Sequence, residues 1–186
     1  MTLDEMKALP DAEQKKIVAK VAALRKLYKA ANYACVYGAG GGTVARSAGI
    51  PEKEGASLVE VYWERNWSVK AVAAEQEVKV CNGGMWLYNP VSKFWYSLRY
   101  EKDRFSTLNQ GTGVYCFDTW IKHFRSKRSQ LTGQMHDEVI LCIKKGYRDN
   151  CRGLLQWAID KTNEELNLNR ELEIDIQFGN SYADIH

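Results

Sequence analysis

The chain has little that would place it in a membrane, outside the cell or around a structural zinc. No apolar run approaches the roughly 20 residues that a spanning helix needs. The opening Met-Thr-Leu-Asp-Glu-Met-Lys is too charged for a signal peptide. The five cysteines, Cys35, Cys81, Cys116, Cys142 and Cys151, are odd in number, widely spaced and free of any Cys-x-x-Cys pair. That pattern argues against a zinc ribbon and against a secreted disulfide framework. The expectation is a soluble, cytoplasmic protein with reduced thiols. Excess charge is also scarce: 26 basic residues against 23 acidic ones leave a net charge of +3, which permits a nucleic-acid partner without requiring one. What is plentiful is ordinary: 186 residues, 45% of them hydrophobic, are enough for one domain with a real core or for two small lobes.

Glycine and proline are missing from Asp11 to Tyr37, a stretch rich in Ala, Lys and Leu that follows Pro10. This predicts one long helix. Along it Arg25, Lys29, Tyr33 and Tyr37 recur every four positions and form one slowly drifting stripe. Two cations on such a stripe could hold a polyphosphate while a ring one turn on packs against the sugar or base of the same nucleotide. The competing reading buries the tyrosines and leaves the cations as a solvated face. The following Gly38-Ala-Gly-Gly-Gly-Thr43 lacks the lysine of a P-loop and a preceding strand, so it reads as a hinge or sharp turn.

Ser57 to Val80 reads as helical, with Trp63 and Trp67 on one core-directed face. Asn82-Gly83-Gly84 and Asn89-Pro90 then predict a hairpin or an irregular excursion between Cys81 and Tyr100, whose Lys93-Phe94-Trp95-Tyr96 fits surface or core. Val114 to Arg125 has helical spacing of Phe117, Trp120, Ile121 and Phe124, and Asn109-Gln110-Gly111-Thr112-Gly113 opens it. There Gln110 offers a donor and an acceptor side by side, suited to base edges or simply to capping. Lys122, Arg125, Lys127 and Arg128 form a basic exit, fit for a phosphate backbone or for solvent.

The sharpest feature is Gly-Gln-Met-His-Asp-Glu-Val-Ile-Leu-Cys at Gly133 to Cys142. Leu131 to Met135 and Val139 to Ile143 are apolar enough to be paired strands, which puts His136, Asp137 and Glu138 at a tight corner facing water. Adjacent carboxylates offer hard oxygens to Mg²⁺, an ion that takes one or two protein carboxylates plus substrate phosphates. Beyond lie an amphipathic helix, Asp149 to Asn167, and an alternating strand, Glu171 to Phe178. The expected fold class is α+β.

The order Arg25-x3-Lys29-x3-Tyr33-x3-Tyr37-Gly38, then Gln110-Gly111-Thr112, then His136-Asp137-Glu138 resembles the C-terminal half of family A DNA polymerases, the polymerase I and phage replicase group. Asn32 fits the same pattern, and the closing Ser-Tyr-Ala-Asp-Ile-His is similar to the ending of phage members. The resemblance implies a lead-in at 1–10, a helical fingers lobe at 11–100 and the C-terminal part of an antiparallel palm at 101–186. It implies that Arg25, Lys29, Tyr33 and Tyr37 bind the incoming dNTP, with Lys29 also assisting the leaving pyrophosphate. Gln110, His136 and Arg104 would contact primer-template DNA, and Asp137 with Glu138 would be the palm carboxylates of a two-metal Mg²⁺ site. A tyrosine at position 33 goes, in that family, with ready acceptance of dideoxynucleotides. If the chain is phage-encoded, its compartment is the host cytoplasm.

The departures from the family pattern carry as much information. The second palm aspartate lies in that family in an Asp-x-Ser-x-x-Glu stretch upstream of the fingers helix, and this sequence has none. Because the two ions sit about 3.5 to 4 Å apart between carboxylates of both sites, the chain is expected to be silent alone and completed by an N-terminal polymerase fragment or subunit bearing that motif. It is then either one subunit of a split polymerase or a piece of a longer chain. Ala34 and Ser106 stand where the family usually has glycine and asparagine. Single-subunit RNA polymerases share part of the pattern but resemble His-Asp-Ser and lack a ring at the position of Tyr33. The alternative from another class is a noncatalytic remnant that binds DNA or nucleotide as a scaffold.

Overall fold

Pro10, with no amide hydrogen to leave unpaired, opens the 26-residue helix α2 (Asp11–Val36), which follows a short α1 (Leu3–Lys7) in the computed structural model. The structure describes residues 2–127 and 131–185. It divides into two compact units, Met1–Tyr88 with Trp95–Leu108, and Asn89–Phe94 with Asn109–His186.

In the first unit, α2 ends at Tyr37, and Gly38 takes a left-handed φ of 69° to turn the chain into α3 (Gly41–Ala48). Packed on α3 is α4 (Glu52–Arg65), through Gly55. Ala31 and Cys35 of α2 meet Val44 of α3, and Leu58, Val59 and Tyr62 of α4 close the cluster. The single helix expected over 57–80 is instead α4, then α5 (Trp67–Glu75), then strand β1 (Val78–Cys81). The break falls at Asn66, whose side-chain amide donates to the Tyr62 carbonyl at 2.8 Å and ends the helix there. The interruption takes Trp67 out of register with Trp63, and Trp67 is 69% exposed rather than core.

Asn82 and Gly83 both adopt positive φ, 51° and 74°, so β1 and β2 (Gly84–Asn89) form a hairpin with an Asn-Gly turn, paired from Val78 opposite Leu87 to Cys81 opposite Gly84. Strand β3 (Phe94–Leu98) adds on the far side of β2. Leu87 and Leu98 are buried, whereas Phe94 is exposed.

The second unit is organised on two helices, α6 (Arg104–Lys127), which enters it from Asn109 onward, and α7 (Arg148–Leu166). Trp120, Ile121 and Phe124 of α6 meet Cys151, Leu155, Ala158 and Ile159 of α7 in its core. Lys122 and His123 of α6 reach Glu165 of α7 at 2.6 and 2.7 Å, so Lys122 belongs to an interhelical ion pair rather than to a free basic exit. Arg128 lies outside the described residues. The strands expected over 131–135 and 139–143 are shorter, β4 (Gly133–Met135) and β5 (Glu138–Ile140), antiparallel with Met135 opposite Glu138. Residues 171–178 alternate between exposed and half-buried like a strand, yet belong to no ladder among the described residues. With helices and small antiparallel sheets, the chain is an α+β protein.

Candidate functional site

The stripe of α2 is a surface feature. Arg25 and Lys29 are exposed, as are Tyr33 at 49% and Tyr37 at 44%. Burial of the tyrosines, the competing reading of their spacing, is thereby set aside: Ala31 and Cys35 point into the core and turn the stripe outward. The two rings stack with centroids 6.4 Å apart and planes 24° from parallel, and the Lys29 ammonium lies 5.8 Å from the Tyr33 centroid. Such a row can receive a polyanion at its cationic end and a flat or sugar-like group at its aromatic end. At its foot the Lys102 ammonium sits 3.5 Å from the Tyr37 carbonyl, a cation at a helix C-terminus.

His136 and Asp137 form the two-residue connection between β4 and β5, and His136 has φ of 50°. A hairpin this tight needs a left-handed residue at its first corner, and here a histidine fills it in place of the usual glycine or asparagine. His136 and Asp137 are exposed, and Glu138 is half-buried. The donors are hard carboxylate oxygens of the kind Mg²⁺ prefers. Among the described residues, no group of three or more His, Cys, Asp or Glu side chains is placed to hold a metal ion. The pair therefore fits part of a magnesium site, one that needs further oxygens from elsewhere.

Gln110 is exposed and sits inside α6 rather than at its start, so it does not cap this helix. The residue that fixes this turn of α6 is Asn89, fully buried, whose amide donates to the Thr112 hydroxyl at 2.9 Å. Its carbonyl oxygen meanwhile accepts from the backbone amides of Val91 and Ser92. Sequence reasoning found only a turn at Asn89-Pro90; the Asn that also orients α6 beside Gln110 carried no further signal. Arg104, a predicted DNA contact, pairs with Glu101 at 3.0 Å and keeps a buried Nε without a hydrogen-bond partner among the described residues.

The predicted residues thus fall into two sets. Arg25, Lys29, Tyr33, Tyr37 and Arg104 belong to the first unit; Gln110, His136, Asp137 and Glu138 belong to the second. Burial pushes the thiols of Cys35 and Cys116 up, which keeps them protonated and unreactive. No helix among the described residues is long and apolar enough to cross a membrane. Compared with protein-family models and with curated proteins, the chain finds no match in either.

Proposed function

We propose that the chain is the C-terminal portion or subunit of a DNA-directed DNA polymerase that adds dNTPs to a primer-template. The observation that supports this reading is the exposed row of two cations, Arg25 and Lys29, followed by two stacked rings, Tyr33 and Tyr37, in a chain that also carries Asp137 at a hairpin tip and Glu138 next to it at the start of β5. In this reading Arg25 and Lys29 neutralise the triphosphate, and Lys29 stabilises the charge that builds on the departing pyrophosphate. Tyr33 packs on the incoming sugar, Tyr37 lies beside the templating base, and Gln110, His136 and Arg104 contact the DNA. Asp137 and Glu138 would hold Mg²⁺, which activates the primer hydroxyl and steadies the triphosphate oxygens when bound. The remaining carboxylate comes from a partner with the Asp-x-Ser-x-x-Glu motif.

Primer extension tests this. The chain alone with Mg²⁺ and dNTPs is expected to be silent, and addition of a polypeptide bearing that motif is expected to produce extension. Asp137→Ala is expected to abolish the extension while circular dichroism stays that of the folded chain. Extension by the chain alone would show that its own acids suffice; complemented extension that survives Asp137→Ala would remove Asp137 from the metal site.

A further inference from the structure

Ile17, Val21, Leu24, Tyr28, Ala31 and Cys35 follow one another along α2 at spacings of four, three, four, three and four. That is the repeat of a coiled-coil seam, two apolar positions in every seven residues. Its last two members are already in use, since Ala31 and Cys35 meet Val44 of α3 and the half-buried Leu58, Val59 and Tyr62 of α4. At the other end Gln14, one step earlier in the same repeat, donates from its side chain to the carbonyls of Lys7 and Leu9 after α1, at 3.2 and 2.7 Å. Between those ends the seam is open. Val21, Leu24 and Tyr28 are 57, 46 and 63% exposed, and Ile17 is half-buried. This row lies about a third of a turn around the helix from Lys29 and Tyr33, so it is a second face of α2 and not part of the nucleotide row.

The charge around the open seam has one sign. No acidic residue occurs between Gln14 and Pro51, whereas α2 carries Lys15, Lys16, Lys20, Arg25, Lys26 and Lys29. Lys16 and Lys20 stand one turn apart on one flank of the seam, and Arg25 stands on the other, toward the nucleotide row. The acidic residues of α2 are Asp11 and Glu13, both in its first turn; Glu13 borders the seam beside Gln14, ahead of the open part. A second α2 laid alongside would set these six cations against six more. A bilayer is a poor fit as well, because an interfacial helix buries a broad apolar face and two positions in seven make only a narrow seam. From Ile17 to Tyr28 the seam is about 17 Å long, three turns of a facing helix.

We propose that the open seam of α2 seats an acidic amphipathic helix of a separate protein, with aliphatic side chains inserted among Ile17, Val21, Leu24 and Tyr28 and carboxylates facing Lys16 and Lys20. This seat continues the one that α3 and α4 already occupy, and it does not rest on the polymerase reading. The probe is a synthetic peptide of about 18 residues, long enough to be helical unaided, with Leu at the two seam positions of each heptad and Glu beside them; its control carries Lys in place of Glu. Fluorescence anisotropy of the labelled peptide measures its binding to the full chain, and amide hydrogen exchange locates it. The acidic peptide is expected to protect residues 14–30 and to bind at least about tenfold more tightly than the basic one. Val21→Gln with Leu24→Gln is expected to weaken that binding at least about tenfold. Lys16→Glu with Lys20→Glu is expected to abolish the preference for the acidic peptide. All four side chains are exposed, so circular dichroism and melting of both variants should match those of the parent chain. Equal binding of the two peptides, protection elsewhere, binding unchanged in the Gln variant, or a preference that survives the Lys→Glu changes overturns the proposal. So does a sedimenting dimer of the chain alone with 14–30 protected, which would put a second copy on the seam. Binding to phosphatidylserine vesicles that is lost in the Gln variant, with no binding of the peptide, would put a membrane there instead. The probe contains no nucleotide or DNA, so peptide binding and complemented primer extension can fail separately.

Discussion

Gly55 lies one turn into α4 and Gly153 in the second turn of α7, and Ala is expected to act on them with opposite sign. A Cβ on Gly55 would lie 2.4 Å from the Gly41 carbonyl oxygen, 2.6 Å from the Ala45 Cβ and 3.0 Å from the Ala45 amide nitrogen. Two of these neighbours are backbone and the third is the side chain nearest to it, so no rotamer can relieve the contact. Helices α3 and α4 must part by several tenths of an ångström across the surface that buries Val44 and Ala45. Overpacking of this kind costs about 2 to 3 kcal/mol, at the upper part of its usual range. Replacing a helical glycine returns about 1 kcal/mol of propensity, which leaves Gly55→Ala less stable by about 1 to 2 kcal/mol. At Gly153 a Cβ meets nothing within 4 Å, so only the propensity gain of about 1 kcal/mol applies. For a chain of this length 1 kcal/mol moves Tm by about 2 to 4 °C. Thermal melting should therefore separate the two variants by several degrees in opposite directions, and hydrogen exchange should accelerate over α3 and α4 only in Gly55→Ala. Equal behaviour of the two would refute the close approach of α3 and α4 at Gly55.

Three further outcomes are expected. His136→Gly relieves a left-handed corner that costs a β-carbon-bearing residue about 1 kcal/mol, so Tm should hold or rise; a fall beyond about 1 kcal/mol would mean that the imidazole makes a stabilising contact. Hydrogen bonds from Lys122, and then from His123, hold the Glu165 carboxyl below the usual carboxylate range. A depressed folded pKa gives stability that is present above the unfolded value of about 4.3 and is lost as pH falls through the folded one. With 37% of the Glu165 side chain exposed, the gain is about 0.5 kcal/mol at most; Glu165→Gln should lower Tm by about 1 to 2 °C at pH 7 and by nothing at pH 3, and a difference that persists in acid would show the loss to be steric. Tyr33→Phe, at a half-exposed ring, should leave the fold within about 0.5 kcal/mol while reducing dideoxynucleotide termination by the complemented enzyme; unchanged termination would displace Tyr33 from the sugar.

The long helix α2 and its stripe were legible because nothing in Asp11 to Tyr37 opposes a helix and the four-residue spacing leaves one geometric outcome. Exposure of the tyrosines was not legible: it depends on α3 and α4 covering the opposite face, at Ala31 and Cys35. The breakers Gly111 and Gly113 concealed the first turns of α6, where the buried Asn89 holds Thr112. The break at Asn66 was hidden for another reason, since a side-chain amide folded back onto the Tyr62 carbonyl looks in sequence like any polar helical residue. At the hairpin the reversal was legible from His136, Asp137 and Glu138 lying between two short apolar runs, but the tip is only His136 and Asp137: Glu138 pairs opposite Met135 in β5 and is half-buried rather than facing water. The ladder missing from 171–178 could not be read at all, since alternation reports which face is buried and says nothing about who lies alongside.

Helix α2 is gripped at one end. Its buried residues, Ala31 and Cys35, lie in the last two turns, and Arg25 stands ten residues before Cys35 in a span whose other positions are exposed or half-buried. It is a rod about 39 Å long with a fulcrum near its C-terminus. Arg25 is about 15 Å from Cys35 along the axis, so a tilt of about 10° at the fulcrum sweeps it through about 2.6 Å, close to the length of a hydrogen bond. Tyr37, beside the pivot, hardly moves. Small adjustments of the α3 and α4 seat thus become full making or breaking of contacts at the cationic end, while the aromatic end keeps time with the body of the unit.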